Sequence, residues 1–146
     1  MARMGNGSMN SPVVVDASLS FVGYADIEIY YAGGDPALTN QHLQYIKKAI
    51  ADATTTIEEV QFLNMTAFGS KDMDFSALFK GCEKLSYVVL PSALSSINFN
   101  MESIFEDCKA LQSIKWSGIN RPNITNLKGA FKNCTSLKSV TFSSTN

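Results

Sequence analysis

The chain has 146 residues, 45% of them hydrophobic and 17% charged, and its formal net charge is −1. That is one domain's worth of globular chain, and its charge balance argues against a nucleic-acid binder relying on a basic face and against polybasic attachment to a membrane. No apolar run reaches the roughly eighteen residues a spanning helix needs, so no membrane insertion is expected.

Residues 1–11 (Met1 to Ser11) are small and polar and lack the apolar core of a signal peptide, so a disordered leader or tag is expected there. Val13-Val14-Val15 and Leu19-Ser20-Phe21-Val22 read as strand material. Asp26-Ile27-Glu28-Ile29-Tyr30-Tyr31 alternates cleanly before Gly33-Gly34-Asp35-Pro36 ends it. A hairpin turning near Gly23 to Asp26 would join the last two. Leu38 to Ala53 predicts a helix with an apolar stripe of Leu38, Leu43, Ile46 and Ile50, capped by Thr39 or Asp35. Gln44, Lys47, Lys48 and Asp52 would face water, and Thr54-Thr55-Thr56 would stop the helix because β-branched residues disfavour its continuation. Residues 12–53 are thus expected to form an N-terminal cap of strands plus helix.

The remainder, 54–146, repeats itself. Phe79-Lys80-Gly81-Cys82-Glu83-Lys84-Leu85 leads into Ser86-Tyr87-Val88-Val89-Leu90. The same form returns in Phe105 to Trp116 and in Phe131 to Phe142. The three cysteines, Cys82, Cys108 and Cys134, stand at a constant interval of 26. Self-similarity at that period is the signature of a solenoid. Each unit reads Phe-x-x-Cys-x-x-Leu-x-x-ϕ-x-ϕ, with ϕ apolar. Its last part predicts a short half-buried strand: Val88, Leu90, Ile114, Trp116, Val140 and Phe142 point inward. Upstream, Phe75-Leu78-Phe79-Cys82, Met101-Ile104-Phe105-Cys108 and Leu127-Ala130-Phe131-Cys134 are spaced as one face of a helical turn. Ile57-Glu58-Glu59-Val60-Gln61-Phe62 has the strand form too, displaced by 28 from its counterpart, and is read as a degenerate first repeat with two extra residues near Gly69 to Asp72. The chain stops directly after a strand. That predicts either further repeats beyond it or an open edge that meets another chain, with edge-to-edge self-association as one outcome.

These units resemble the leucine-rich repeats of the BspA-like class, found in bacterial and protist surface proteins. Leu90-Pro91 matches the proline that often follows the strand in that class, and the resemblance covers roughly residues 73–146. The asparagine usual in leucine-rich repeats three residues past the strand is absent, with Ala93 and Ile119 in its place. The implied fold is α/β: a leucine-rich-repeat solenoid with a parallel sheet on one side, short helices on the other and the N-terminal cap before them. The resemblance also implies an extracellular or cell-surface location and adhesion to a protein or glycan.

Catalytic, metal and cofactor residues are assigned to none. Cysteines 26 apart lie in a line on successive repeats and cannot converge on a zinc ion, so they read as small core hydrophobes. His42, the one histidine, reads as a helix-surface residue, and no nucleophile-elbow, phosphate-loop or zinc-protease motif accompanies it. Trp116 reads as core, provided its indole N–H finds an acceptor. The candidate ligand-binding residues are the outward strand positions, which stacking would align as Glu59, Tyr87, Ser113 and Ser139 beside Gln61, Val89, Lys115 and Thr141. Tyr87 and Lys115, an aromatic beside a cation, are the expected contact pair. The alternative to a binding module is a structural or assembly module that stacks or spaces chains through the open C-terminal edge.

Overall fold

Each repeat contributes two strands, not one. The computed structural model describes residues 2–6, 16–31, 38–63, 68–91, 97–117 and 123–143. In chain order these form β1 (Ala2–Asn6), β2 (Asp26–Tyr31), α1 (Asn40–Ala51), β3 (Glu59–Leu63), β4 (Asp72–Asp74), β5 (Tyr87–Val89), β6 (Asn98–Asn100), β7 (Ser113–Ser117), β8 (Asn123–Asn126) and β9 (Ser139–Ser143). A six-stranded sheet runs β1-β2-β3-β5-β7-β9 and a three-stranded sheet runs β4-β6-β8. Every pairing in both is parallel. The α/β repeat architecture therefore stands, with a second parallel sheet that the strand pattern alone did not announce.

The strand alternation holds at Val88, Leu90, Ile114 and Trp116; Val140 is half-buried, and the side chain of Phe142 lies outside the described residues. Val60, Val88 and Ile114 are buried in one column, and Phe62, Leu90 and Trp116 in the next. Ile57, Leu85 and Leu111 fill a third column, and Cys82 and Cys108 a fourth, at equivalent interior places on consecutive repeats. Phe79, Phe105 and Phe131 stack at centroid separations of 5.4 and 5.9 Å with interplanar angles of 5° and 14°. No polar or charged residue is buried among the described residues.

The short helices expected opposite the main sheet are tandem turns instead. Leu78, Lys80 and Cys82 donate backward to the carbonyls of Phe75, Ala77 and Phe79, each closing a four-residue turn. Phe75, Ala77, Phe79 and Gly81 donate sideways to Asn100, Glu102, Ile104 and Glu106 of the next repeat. A helix would keep all of these bonds within one segment. It is broken because Ala77 and Gly81 sit at φ of 55° and 82°, and Ser103, Asp107, Gly129 and Asn133 repeat the left-handed geometry at equivalent positions. Positive φ at the third place of a turn favours glycine or asparagine. Tandem four-residue turns return every fourth side chain to one side, which is why the apolar spacing mimics a helix.

The N-terminal part differs from expectation in three places. There is no hairpin at Gly23 to Asp26: β2 pairs parallel with β1 and β3. Leu19 to Val22 is loop, closed by the Tyr24 N–H donating to the Phe21 carbonyl, with Gly23 at φ 86°. That turn drives Phe21 into the core. Within the expected leader, Ala2–Asn6 forms the edge strand β1. Val13-Val14-Val15 and Gly33-Gly34-Asp35-Pro36 lie outside the described residues. Third, α1 begins at Asn40, not at Leu38. Leu38 bridges Phe68 in parallel, its carbonyl accepting from the Gly69 N–H at 2.8 Å. Leu43, Ile46, Ala49 and Ile50 form the buried stripe.

The predicted cap is Thr39, and its partner is His42. The His42 N–H donates to Thr39 Oγ1 at 3.1 Å and the Thr39 N–H donates to His42 Nδ1 at 3.2 Å. Only a neutral imidazole accepts at Nδ1, and burial lowers the His42 pKa, which also favours the neutral form. A depressed folded-state pKa means this contribution is complete above the unfolded value of about 6.5 and is lost as pH falls through the folded value. Acidification from pH 7.5 to 5 is therefore expected to lower the midpoint of thermal unfolding. His42→Gln, a good capping-box residue, should remove most of that dependence; an unchanged pH profile in the variant would refute the assignment.

The repeat interval survives two local defects. Glu59 pairs with Tyr87, 28 positions on, whereas Asp72 pairs with Asn98, 26 on. The two extra residues thus fall between β3 and β4, as the sequence pattern places them. Asn98 pairs with Asn123, one short of 26, and a bulge between Phe99 and Asn100 restores the phase by leaving Thr125 extra. Ser113 then pairs with Ser139 at the usual interval.

Candidate interaction surface

The outward residues of the six-stranded sheet are aligned by that parallel register. Glu59 neighbours Tyr87, then Ser113, then Ser139; Gln61 neighbours Val89, then Lys115, then Thr141. All eight positions predicted for the face are thus brought together on four adjacent strands. Thr141 is described through its backbone pairing alone. At the strand spacing of about 4.8 Å the four strands span roughly 14 Å. Lys115 and Ser139 are exposed, while Glu59, Gln61, Tyr87, Val89 and Ser113 are half-buried. Tyr87 and Lys115 are diagonal neighbours, because Tyr87 pairs with Ser113 and Lys115 with Val89.

The columns extend further than predicted, onto β2 and, beside Glu28, onto β1. Asp26 pairs with Glu59 and Glu28 with Gln61. Arg3 holds the register position next to Glu28 on β1, so carboxylates at Asp26, Glu28 and Glu59 lie between that position and the ammonium at Lys115. The signal was present: Asp26-Ile27-Glu28-Ile29 repeats the polar-apolar form of Glu59-Val60-Gln61-Phe62. The parallel pairing of β2 with β3, in place of a hairpin, joins it to the repeats.

The second sheet carries a different outward lining of Asp72, Asp74, Asn98, Asn100, Asn123 and Asn126. The Asn98 side-chain amide donates to Asp72 Oδ1 at 2.7 Å, and that of Asn123 donates to Asn98 Oδ1. Asp74, Asn100 and Asn126 accept from the backbone N–H groups of Ser76, Glu102 and Lys128 at 3.0, 3.1 and 2.9 Å. Those bonds start the turn segment of each repeat, so this lining is spent mainly on the fold. For Asp74, burial alone would raise the pKa, but the Ser76 hydrogen bonds and Lys47, 3.5 Å from Oδ2, outweigh it and hold the carboxyl below its usual range. Asn40 closes the outer side of β4, donating to the Asp72 carbonyl at 2.9 Å and accepting from the Asp74 N–H at 2.8 Å.

The cysteines are more than small hydrophobes. Cys108 Sγ donates to the Phe79 carbonyl at 3.1 Å, and Cys134 Sγ donates to the Phe105 carbonyl at 3.0 Å, tying each repeat to the one before it. Burial pushes the Cys82 thiol up to about 12 and raises Cys108 and Cys134 as well. Among the described residues no three His, Cys, Asp or Glu side chains come together to hold a metal ion. A thiolate fraction near 10⁻⁴ at pH 8 predicts that Cys82 reacts with Ellman's reagent roughly a thousandfold more slowly than a free thiol. Cys134, half-buried, should react first, with the other two released on unfolding; fast labelling of Cys82 in the native state would contradict this packing.

Trp116, 2% exposed, finds the acceptor it requires: Nε1 donates to the Pro91 carbonyl at 2.8 Å. No helix among the described residues is long and apolar enough to cross a membrane.

No curated protein and no solved structure matches the chain. A family model described as the BspA type leucine-rich repeat region (6 copies) matches residues 75–146, the stretch that holds the stacked phenylalanines, the cysteine column and both sheets from Phe75 onward. Residues 75–146 of the chain belong to the BspA-type leucine-rich repeats.

Proposed function

We propose that the stacked repeats form a solenoid that acts as a non-enzymatic interaction module. Its ligand, a protein or a glycan, would lie across the outward face of the six-stranded sheet. The reading is carried by one observation: Glu59, Tyr87, Ser113 and Ser139, beside Gln61, Val89, Lys115 and Thr141, form two in-register columns on a continuous parallel face. Repeat proteins bind through extended faces of this kind, each repeat adding a few contacts to a rigid platform. A family that suggests repeat-mediated protein interaction supports the reading, and surface-associated relatives of this repeat class favour a role in adhesion at or outside the cell surface.

Immobilised chain should be screened against a glycan array and a panel of purified surface proteins. For a ligand so found, Tyr87→Ala combined with Lys115→Ala is expected to weaken binding by at least about tenfold, since aromatic and cationic contacts dominate interface energetics. Lys115 is exposed and Tyr87 half-buried, so the unfolding midpoint should move little compared with a core substitution. An unchanged affinity would take the site off this face.

A further inference from the structure

One column of the outward face has the chemistry of a guanidinium site. Asp26 on β2, Glu59 on β3 and Tyr87 on β5 stand in direct register on three adjacent strands, so two carboxylates and an aromatic ring follow one another at about 4.8 Å per strand. All three side chains are half-buried. Asp26 and Glu59 form no ion pair among the described residues. Glu28, in the neighbouring column, is a different case, because Arg3 holds the register position beside it.

Like charges directly opposite each other on paired strands destabilise the pair. The fold does not require them there. The same column carries Ser113 and Ser139 further along, and the next carries Gln61 beside Glu28, so uncharged side chains suit these positions. A planar cation turns the repulsion into attraction. The forked N–H groups of a guanidinium bind carboxylate oxygens in pairs, and its face stacks on an aromatic ring. Tyr87, directly opposite Glu59, supplies that ring. The remaining charge on the far side of Tyr87 is Lys115, which is exposed. It stands two strands across and two residues along from Glu59, about 12 Å away, and its complement is a carboxylate.

We infer that the outward face docks a segment of a partner protein that sets an arginine across Asp26 and Glu59 against the Tyr87 ring and, roughly four extended residues away, a carboxylate on Lys115. This rests on the reading that the outward face is the binding surface, and it selects a polypeptide over a glycan. A glycan brings hydroxyls or anionic groups and no guanidinium. It would leave the opposed carboxylates as they are, or add to their repulsion. Further repeats would add strands beside β9 and lengthen the face without covering it.

A random peptide library displayed on phage and panned on the immobilised full chain should enrich peptides that carry an arginine and, about three to five residues from it, an aspartate or glutamate. A selected peptide, synthesised with fluorescein and titrated with the chain, should show saturable anisotropy. Asp26→Asn with Glu59→Gln should weaken its binding by at least about tenfold. The same double variant should raise the unfolding midpoint by about 1–4 °C, because it removes the repulsion, so the lost affinity cannot come from misfolding. A lowered midpoint would show that the two carboxylates support the fold and would overturn the inference. So would selection of peptides without a cation, absence of saturable binding up to about 1 mM, or an affinity unchanged in the double variant. A glycan that binds the chain, is lost with Tyr87→Ala and Lys115→Ala and is kept with Asp26→Asn and Glu59→Gln would overturn it while leaving the outward face as the binding surface. A ligand indifferent to all four substitutions would remove both readings. A concentration-dependent dimer in sedimentation equilibrium, abolished by the double variant, would assign the face to a second copy instead of a partner.

Discussion

Phe105→Ala is expected to lower the free energy of unfolding by about 3–5 kcal/mol, the range for deleting a buried aromatic ring. Phe105 is 1% exposed and lies between Phe79 and Phe131 at 5.4 and 5.9 Å. Two neighbouring rings lose a face at once, and the void opens onto the apolar pocket that Phe105 already lines. Neighbouring side chains cannot collapse into it easily, because the positions of both rings are fixed by backbone bonds between repeats: Phe79 N–H to the Ile104 carbonyl and Phe105 N–H to the Ala130 carbonyl. The same change at Phe131, which is 38% exposed, removes less buried area and should cost nearer 1–2 kcal/mol. In a stack whose units touch only their neighbours, the interior ring also couples the two sides. A reduced urea m-value in Phe105→Ala, absent in Phe131→Ala, would show that loss of cooperativity. A cost below about 1 kcal/mol would mean the ring column is not the axis of the core.

The parts of this fold that were legible in the sequence are those set by side-chain periodicity. Alternation in Tyr87 to Leu90 and Ser113 to Trp116 fixed both the inward columns and the outward face, because a parallel register at a constant interval leaves no freedom in which residues become neighbours. The parts that were not legible are set by backbone geometry. Phe75-Leu78-Phe79-Cys82 fits a helix, yet positive φ at Ala77 and Gly81 turns the N–H groups toward the next repeat. The glycine at 81, the aspartate at 107 and the asparagine at 133 were the available hint, since each tolerates the left-handed region; Ala77 and Ser103 conceal it. The second sheet escaped notice because Asp72-Met73-Asp74 and Asn98-Phe99-Asn100 place strand-averse residues outward and leave one apolar residue to show inward. Leu38 looked helical by spacing but is held by a bridge to Phe68, a contact no local pattern records.

Trp116 offers the second large effect, because it can be dissected. It joins the two sheets: its ring meets Phe99 of β6 edge-on at 5.1 Å and 76°, and its Nε1 serves the Pro91 carbonyl. Trp116→Ala removes both and is expected to cost about 3–5 kcal/mol. Trp116→Phe keeps most of the ring contact, and at the equivalent places the flanking repeats carry Leu90 and Phe142, so a smaller apolar side chain suits the column. What it deletes is the donor. Pro91 is buried, and a buried carbonyl stripped of its partner costs about 1–3 kcal/mol. Far-ultraviolet circular dichroism should follow these unfolding curves, since the chain has one tryptophan and the variants lose its fluorescence. A Phe variant as stable as the parent would mean that water reaches the Pro91 carbonyl and that Trp116 acts by volume alone. A Phe variant as damaged as the Ala variant would place the stabilisation in the indole N–H, and the join between the sheets would then be polar at its centre, an arrangement that holds one fixed geometry where an apolar contact would allow slippage.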